Sequence, residues 1–248
     1  MSAIELRDFS VVYPSFVLQP LFLAFRTGER VAVVGPNGAG KSTTLNAIAG
    51  RLTHYRGAVL LDGSEIRTLL PTVRERIGFL PETLLGYGWT TIRQHLHLLR
   101  NFFPAWDQAY AEGLLARLAL PPEAKLGTLS KGMRVKLSFV CAEAYRPPFL
   151  ILDEPTSGLD PMVRRELIEV ILERAPSGGD RLVIFSTHLL EDVEWIADRV
   201  LVLSVGALRA DAPVAELRAR HPDRALSDIL YSILSGNESQ PLQRPARA

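Results

Sequence analysis

Cysteine is almost missing from this chain: its 248 residues include one, Cys141. No intrachain disulfide can form and no zinc spacing exists, so Cys141 reads as a small buried side chain in a reducing compartment. Long apolar runs are missing as well. No stretch approaches the roughly 18 uninterrupted apolar residues that a membrane span needs. Residues 1–9, with Glu5, Arg7 and Asp8, lack the apolar core of a signal peptide. These absences predict a cytosolic chain that cannot form a membrane pore alone. Nor is there an excess of either charge: 28 Lys and Arg face 27 Asp and Glu, a net charge of +1. That balance gives no electrostatic reason to expect nucleic acid as the main partner. There is no internal repeat, and no heptad run long enough for a coiled coil.

What is present is ordinary in bulk and ordered in detail. Hydrophobic residues make up 47% and charged residues 22%, as in a globular protein. Short apolar runs alternate with helical patterns, which predicts an α/β architecture. Segments 3–9, 21–25 and 31–34 read as early strands, and 58–61 ends at the turn pair Asp62-Gly63, so an antiparallel hairpin is expected there. A helix follows over 42–51. From 91 to about 118 the pattern is helical, broken near Pro104 and Trp106-Asp107, and another helix runs over 131–145. Strands at Phe149–Leu152, 182–185 and 200–203 alternate with helices at 161–173 and 189–197, the pattern of a mainly parallel, doubly covered sheet. Residues 236–248, with two prolines and two arginines, read as a disordered tail.

The string Gly35-Pro36-Asn37-Gly38-Ala39-Gly40-Lys41-Ser42-Thr43 stands between an apolar strand and a helix. It matches Gly-x-x-x-x-Gly-Lys-Ser, a loop whose backbone N–H groups converge on phosphates. The following helix adds the positive end of its dipole. Lys41 would reach the β- and γ-phosphates, and the Ser42 hydroxyl would ligate Mg²⁺. An ordinary Gly-rich turn with a surface lysine is the competing reading, and the strand and helix around the loop weigh against it. The apolar strand Phe149–Leu152 runs into Asp153 and Glu154. An Asp at this strand end holds Mg²⁺, and the adjacent Glu is placed to polarise an attacking water.

Leu129-Ser130-Lys131-Gly132-Met133, Ser157-Gly158-Leu159-Asp160 and Ser186-Thr187-His188 complete an ordered set across nearly the whole chain. With the phosphate loop and the Asp153-Glu154 strand, this set closely resembles the ATP-binding cassette (ABC) ATPases. The resemblance implies a P-loop NTPase core with a mainly parallel sheet, an antiparallel β subdomain and an inserted helical subdomain at about 83–146, all in one domain over 1–235. It implies ATP and Mg²⁺ as cofactors. It also implies a head-to-tail dimer with a second ABC subunit, homo- or heterodimeric, in which each ATP lies between the phosphate loop of one subunit and Ser130 and Gly132 of the other.

Further roles follow residue by residue. Tyr13 matches the aromatic that stacks on adenine, Asp160 the loop that couples the two sites, and His188 the switch histidine that contacts the γ-phosphate. Asp160 also fits an N-cap ahead of Pro161. Glu82 follows the strand Ile77–Leu80 where the family usually has Gln contacting Mg²⁺ and the water; a carboxylate is also a Mg²⁺ ligand. Lys131 and Met133 replace the commoner Gly and Gln of the signature, with Lys131 facing either a γ-phosphate or solvent. These variants, with the stretch 102–107, are similar to exporter-type bacterial cassettes.

The implied role is an ATP-hydrolysing subunit that energises a separate multi-span membrane permease and is held by it at the inner face of the cell membrane. The alternatives are a soluble ABC ATPase of translation or DNA, or a low-activity regulatory half of a heterodimer. The permease groove corresponds to about 82–106, which contains Leu84, Leu85, Tyr87, Trp89, Phe102, Phe103 and Trp106. Phe102 and Phe103 read as core of the helical subdomain, whereas Tyr87 and Trp89, on a Gly-containing loop, read as partner contacts.

Overall fold

The structure is a computed structural model and describes residues 3–68, 73, 75–81 and 86–236. Along the chain, β1 (Ile4–Tyr13) and β2 (Phe16–Phe25) form a hairpin, and β3 (Arg30–Val34) leads into α1 (Lys41–Ile48). β4 (Arg56–Leu61) and β5 (Ser64–Glu65) form a second hairpin through Asp62 and Gly63, both at positive φ. β6 (Ile77–Leu80) precedes three helices, α2 (Ile92–Leu99), α3 (Gln108–Arg117) and α4 (Lys131–Glu143). β7 (Phe149–Leu152), α5 (Pro161–Arg174), β8 (Leu182–Thr187), α6 (Leu190–Ile196) and β9 (Arg199–Ser204) follow. β10 (Ala207–Pro213), α7 (Val214–Arg220) and α8 (Leu226–Leu234) end the described chain.

Strand periodicity explains the layers. Successive residues of a strand face opposite sides of its sheet, and here both sides are apolar. In β3, Val31 and Val33 enter one hydrophobic core while Ala32 and Val34 enter another. β7 divides Phe149 and Ile151 from Leu150 and Leu152 in the same way, and β8 divides Leu182 and Ile184 from Val183 and Phe185. The six-stranded sheet, ordered β10-β9-β3-β8-β7-β6, is therefore buried on both faces. It is parallel except for β10, which pairs antiparallel with β9. A second sheet, β2-β1-β4-β5, is antiparallel and shares its core with one face of the first.

Several elements differ from the sequence reading, each for a local reason. β2 begins at Phe16 and runs through Pro20, which a strand at the edge of its sheet tolerates. β1 continues past residue 9 to Tyr13 because Asp8, at φ 51°, forms a bulge that resets the pairing between Leu6 and Phe9. The helix expected over 42–51 ends at Ile48. β10, α7 and α8 lie in a stretch left unassigned by the sequence.

The break near Pro104 is real: α3 starts after Asp107, whose carboxylate accepts the Tyr110 N–H at 2.9 Å. Thr91 and Gln94 form a capping box at α2. The tail at 237–248 lies outside the described residues. No helix among the described residues is long and apolar enough to cross a membrane.

Candidate active site

The parallel strands aim their carboxyl ends at one edge, where open α/β sheets bind ligands. β8 lies between β3 and β7, so the loops after these three strands are neighbours. The phosphate loop leaves β3 at Gly35. A Cβ there would run into the Leu203 carbonyl oxygen, so only glycine lets the loop pass this close to β9. Gly40, at φ 106°, is in a region that side chains avoid, and this turn starts α1 at Lys41. Ala39 is buried and its N–H closes the turn on the Pro36 carbonyl at 3.1 Å, while Pro36, Asn37 and Gly38 are exposed. Thr43 is half-buried in the first turn of α1. Exposed backbone donors on a helix N-terminus are what an anion needs.

Across β8, the next loop supplies the acids. Ser42 Oγ donates to Asp153 Oδ1 at 3.1 Å, and Ser186 Oγ donates to the same oxygen at 2.7 Å. Ser186 Oγ also accepts the Glu154 N–H at 2.8 Å. Glu154 needs that support, because its φ of 50° is left-handed, a conformation that costs a non-glycine residue about 1–3 kcal/mol. The turn directs its carboxylate towards two other predicted residues. Lys41 Nζ lies 3.1 Å from Oε1, and His188 Nδ1 shares a hydrogen bond with Oε2 at 2.8 Å. Lys41 is 5% exposed and also donates to the Gly35 and Pro36 carbonyls at 2.9 and 3.3 Å. Lys41, Ser42, Asp153, Glu154 and His188 thus form one contiguous group.

The other predicted residues divide. Tyr13 is partly exposed at the end of β1 and stacks on Phe16, whose ring lies beside Gly40 of the phosphate loop. Ser130 and Gly132 stand at the start of α4, and Ser130 Oγ accepts the Met133 N–H at 3.2 Å. Gly132 packs against Val163 of α5. Among the described residues, no hydrogen bond joins Ser130 or Gly132 to the phosphate loop of the same chain. Asp160 caps α5, its Oδ1 accepting the Met162 N–H at 2.9 Å. Lys131 is exposed, with its Nζ beside Gly158 of the same chain. Glu82, Leu84 and Leu85 lie outside the described residues.

Phe102 departs from the core role expected of it, since it is 67% exposed. Phe103 is half-buried and stacks on Tyr145 with ring centroids 4.3 Å apart. Tyr87 and Trp89 are 63% and 72% exposed and stack on each other. Cys141 packs against the core, and burial pushes its thiol up to about 12. Burial also holds the pKa of His95 below its ordinary value.

Ser186 was missed by sequence reasoning, which weighed only His188 in its motif. So was α8. Its Tyr231 and Leu234, with Ser235, line a cavity of about 370 Å³ against Gly35, Pro36, His188 and Leu190.

For Mg²⁺, the donor set fits. A hydroxyl and a carboxylate converge at Ser42 and Asp153, which are hard oxygen ligands. A cation that keeps several waters and takes further oxygens from substrate phosphates needs few protein ligands.

Comparison with known proteins agrees with this geometry. The sequence profile described as ABC transporter matches residues 18–157. The ABC transporter ATP-binding protein YtrB of Bacillus subtilis is 32% identical over 219 residues, which is 88% of this chain and 74% of YtrB. Other relatives are longer: the match to YdbJ of the same organism, an uncharacterized ABC transporter ATP-binding protein, is 32% identical but spans 64% of it. A solved structure of an ATP-binding subunit of an ABC transporter superposes with a TM-score of 0.82 at 30% identity, covering 94% of this chain and 99% of that one. A dimeric post-hydrolysis ATP-binding cassette with bound ADP and Pi superposes with a TM-score of 0.74 at 23% identity and supports the fold. The chain belongs to the ABC transporter family, as an ATP-binding and ATP-hydrolysing subunit.

Proposed function

We propose that this ATPase hydrolyses ATP with Glu154 as general base and His188 as positioner, and that the cycle drives a separate membrane permease. The observation that carries the reading is the Glu154 carboxylate, held by a left-handed turn between Lys41 and His188. Glu154 takes the proton of a water whose oxygen bonds to the γ-phosphorus, as the bond to the bridging oxygen of ADP breaks. Lys41 and the free backbone N–H groups of the phosphate loop stabilise the charge that spreads over the phosphate oxygens. Ser42 and Asp153 would hold Mg²⁺, which when bound neutralises phosphate charge and acts as a Lewis acid. Tyr13, beside the phosphate loop, offers a ring to adenine.

Ser130, exposed, and Gly132, half-buried, stand at the N-terminus of α4, and among the described residues neither hydrogen-bonds to its own phosphate loop. This supports a head-to-tail pair in which they close over the ATP of the other copy. For the isolated chain, the second copy is the same sequence. The exporter-like stretch 102–107 and Lys131-Gly132-Met133 favour export as the direction. Docking on the permease would place the chain on the inner face of the membrane.

Two tests bear on this reading. Purified chain with ATP and Mg²⁺ releases Pi, and chelation with EDTA reduces that release to background. Undiminished release in EDTA contradicts the Mg²⁺ role given to Ser42 and Asp153. Tyr87→Ala with Trp89→Ala removes a stacked, exposed aromatic pair, and lowers recovery of the complex with the cognate permease by about ten-fold. Equal recovery would show that the pair does not dock the permease.

A further inference from the structure

A carboxylate outside the motifs joins three of the segments that carry them. Asp192, in the first turn of α6, is fully buried. Its Oδ2 accepts from the Thr156 hydroxyl and, at 3.1 Å, from the Thr187 hydroxyl. Its Oδ1 accepts from Arg164 Nε at 2.7 Å. Thr156 lies two residues after Glu154, Thr187 immediately before His188, and Arg164 in the first turn of α5, the helix capped by Asp160. That turn also packs Val163 against Gly132.

We propose that Asp192 is a positioning residue for hydrolysis, fixing the Glu154 loop and the His188 loop to each other and to the start of α5. A buried anion is tolerated only when paired and hydrogen-bonded, and here every partner comes from a segment that carries a motif residue. Thr156 and Thr187 have one hydroxyl proton each, and the Thr187 hydroxyl lies nearer to Asp192, at 3.1 Å, than to the Leu189 carbonyl, at 3.4 Å, so each tie to Asp192 is a directional constraint on its loop. Asparagine does not reproduce this pattern of ties. Its carbonyl accepts on one side only, and its NH₂ then either meets the Arg164 guanidinium or reverses both threonine ties, so that each hydroxyl accepts and no longer donates. A displacement of about 1 Å in a catalytic group costs about 100-fold in rate, so a loosened tie is read in turnover.

The inference rests on Glu154 and His188 being the hydrolytic pair, and the experiment separates the two ideas. Steady-state kinetics of Asp192→Asn, Thr156→Val and the double variant are compared with wild type and Glu154→Gln. Asp192→Asn lowers kcat at least ten-fold while KM for ATP stays within two-fold, because Asp192 acts on the base and the switch rather than on the nucleotide. Thr156→Val, which keeps the Asp192–Arg164 pair, lowers kcat several-fold. The double variant is no slower than Asp192→Asn, as expected of residues acting through one contact. Asp192→Asn with kcat within two-fold of wild type, beside a slow Glu154→Gln, overturns the role of Asp192 alone. Additive losses, or a kcat loss matched by an equal rise in KM, overturn it as well. Wild-type turnover in Glu154→Gln overturns the catalytic reading, and the positioning role falls with it.

Discussion

Glu154→Gln lowers ATP turnover by at least about 100-fold and leaves ATP affinity within a few fold of wild type. General acid–base contributions run to about 10²–10⁴-fold, and the carboxylate's other contacts, with Lys41 and His188, can be kept by an amide. Glutamine fills the same volume and still accepts from His188 Nδ1 or Lys41, so the left-handed turn at residue 154 and its support from Ser186 survive. What is lost is a base. The Asp153 contacts with Ser42 and Ser186 are untouched, so the nucleotide still has its hydroxyl and its phosphate loop. Pi release measured at saturating ATP, with binding followed separately by calorimetry, checks both halves. Wild-type turnover would remove Glu154 from the mechanism.

Lys41→Met produces the converse result: ATP affinity falls by about 100-fold, and turnover is lost because binding is lost. Charge-assisted hydrogen bonds contribute about 1.5–3 kcal/mol each, and one ammonium serving two phosphates makes more than one. Lys41 is nearly buried, and its stem packs where methionine's unbranched chain also fits. Loss of the ion pair with Glu154 and of the bonds to the Gly35 and Pro36 carbonyls loosens the loop further. Calorimetric titration with ATP reads the change, and an affinity within three-fold of wild type would contradict the role of Lys41. The two substitutions therefore split binding from chemistry in adjacent members of one ion pair.

The parallel sheet was legible because its strands are continuous apolar runs, and no other local arrangement buries both faces of Phe149–Leu152. The reactive residues were legible because the phosphate loop, Asp153-Glu154 and His188 each stand where a strand ends. What hid the rest was tertiary context. Asp8 bends β1 through a bulge that breaks its alternation, and Pro20 reads as a breaker until β2 is known to be an edge strand.

Ser186 entered the sequence reading only within the Ser186-Thr187-His188 string, just past the strand expected over 182–185, and its bridge between Asp153 and Glu154 exists only because β8 lies beside β7. Asp192 did leave a trace, since it shares a helix face with the buried Ile196 one turn on. An acid on an apolar face is a question that sequence raises and only packing answers. Phe102 and Phe103 are neighbours with the same side chain, yet one stacks on Tyr145 and the other is exposed. Nothing local distinguishes them.

The central claim is that one chain holds only half of the ATP site, with Ser130 and Gly132 of a second copy closing the other half. Sedimentation velocity of the Glu154→Gln protein, with and without ATP and Mg²⁺, tests it most directly, because slow hydrolysis preserves the closed pair. The account predicts a single-chain mass without ATP, a doubled mass with it, and no doubling once Ser130→Arg is added. A single-chain mass at saturating ATP, or a doubling that Ser130→Arg leaves intact, would contradict it.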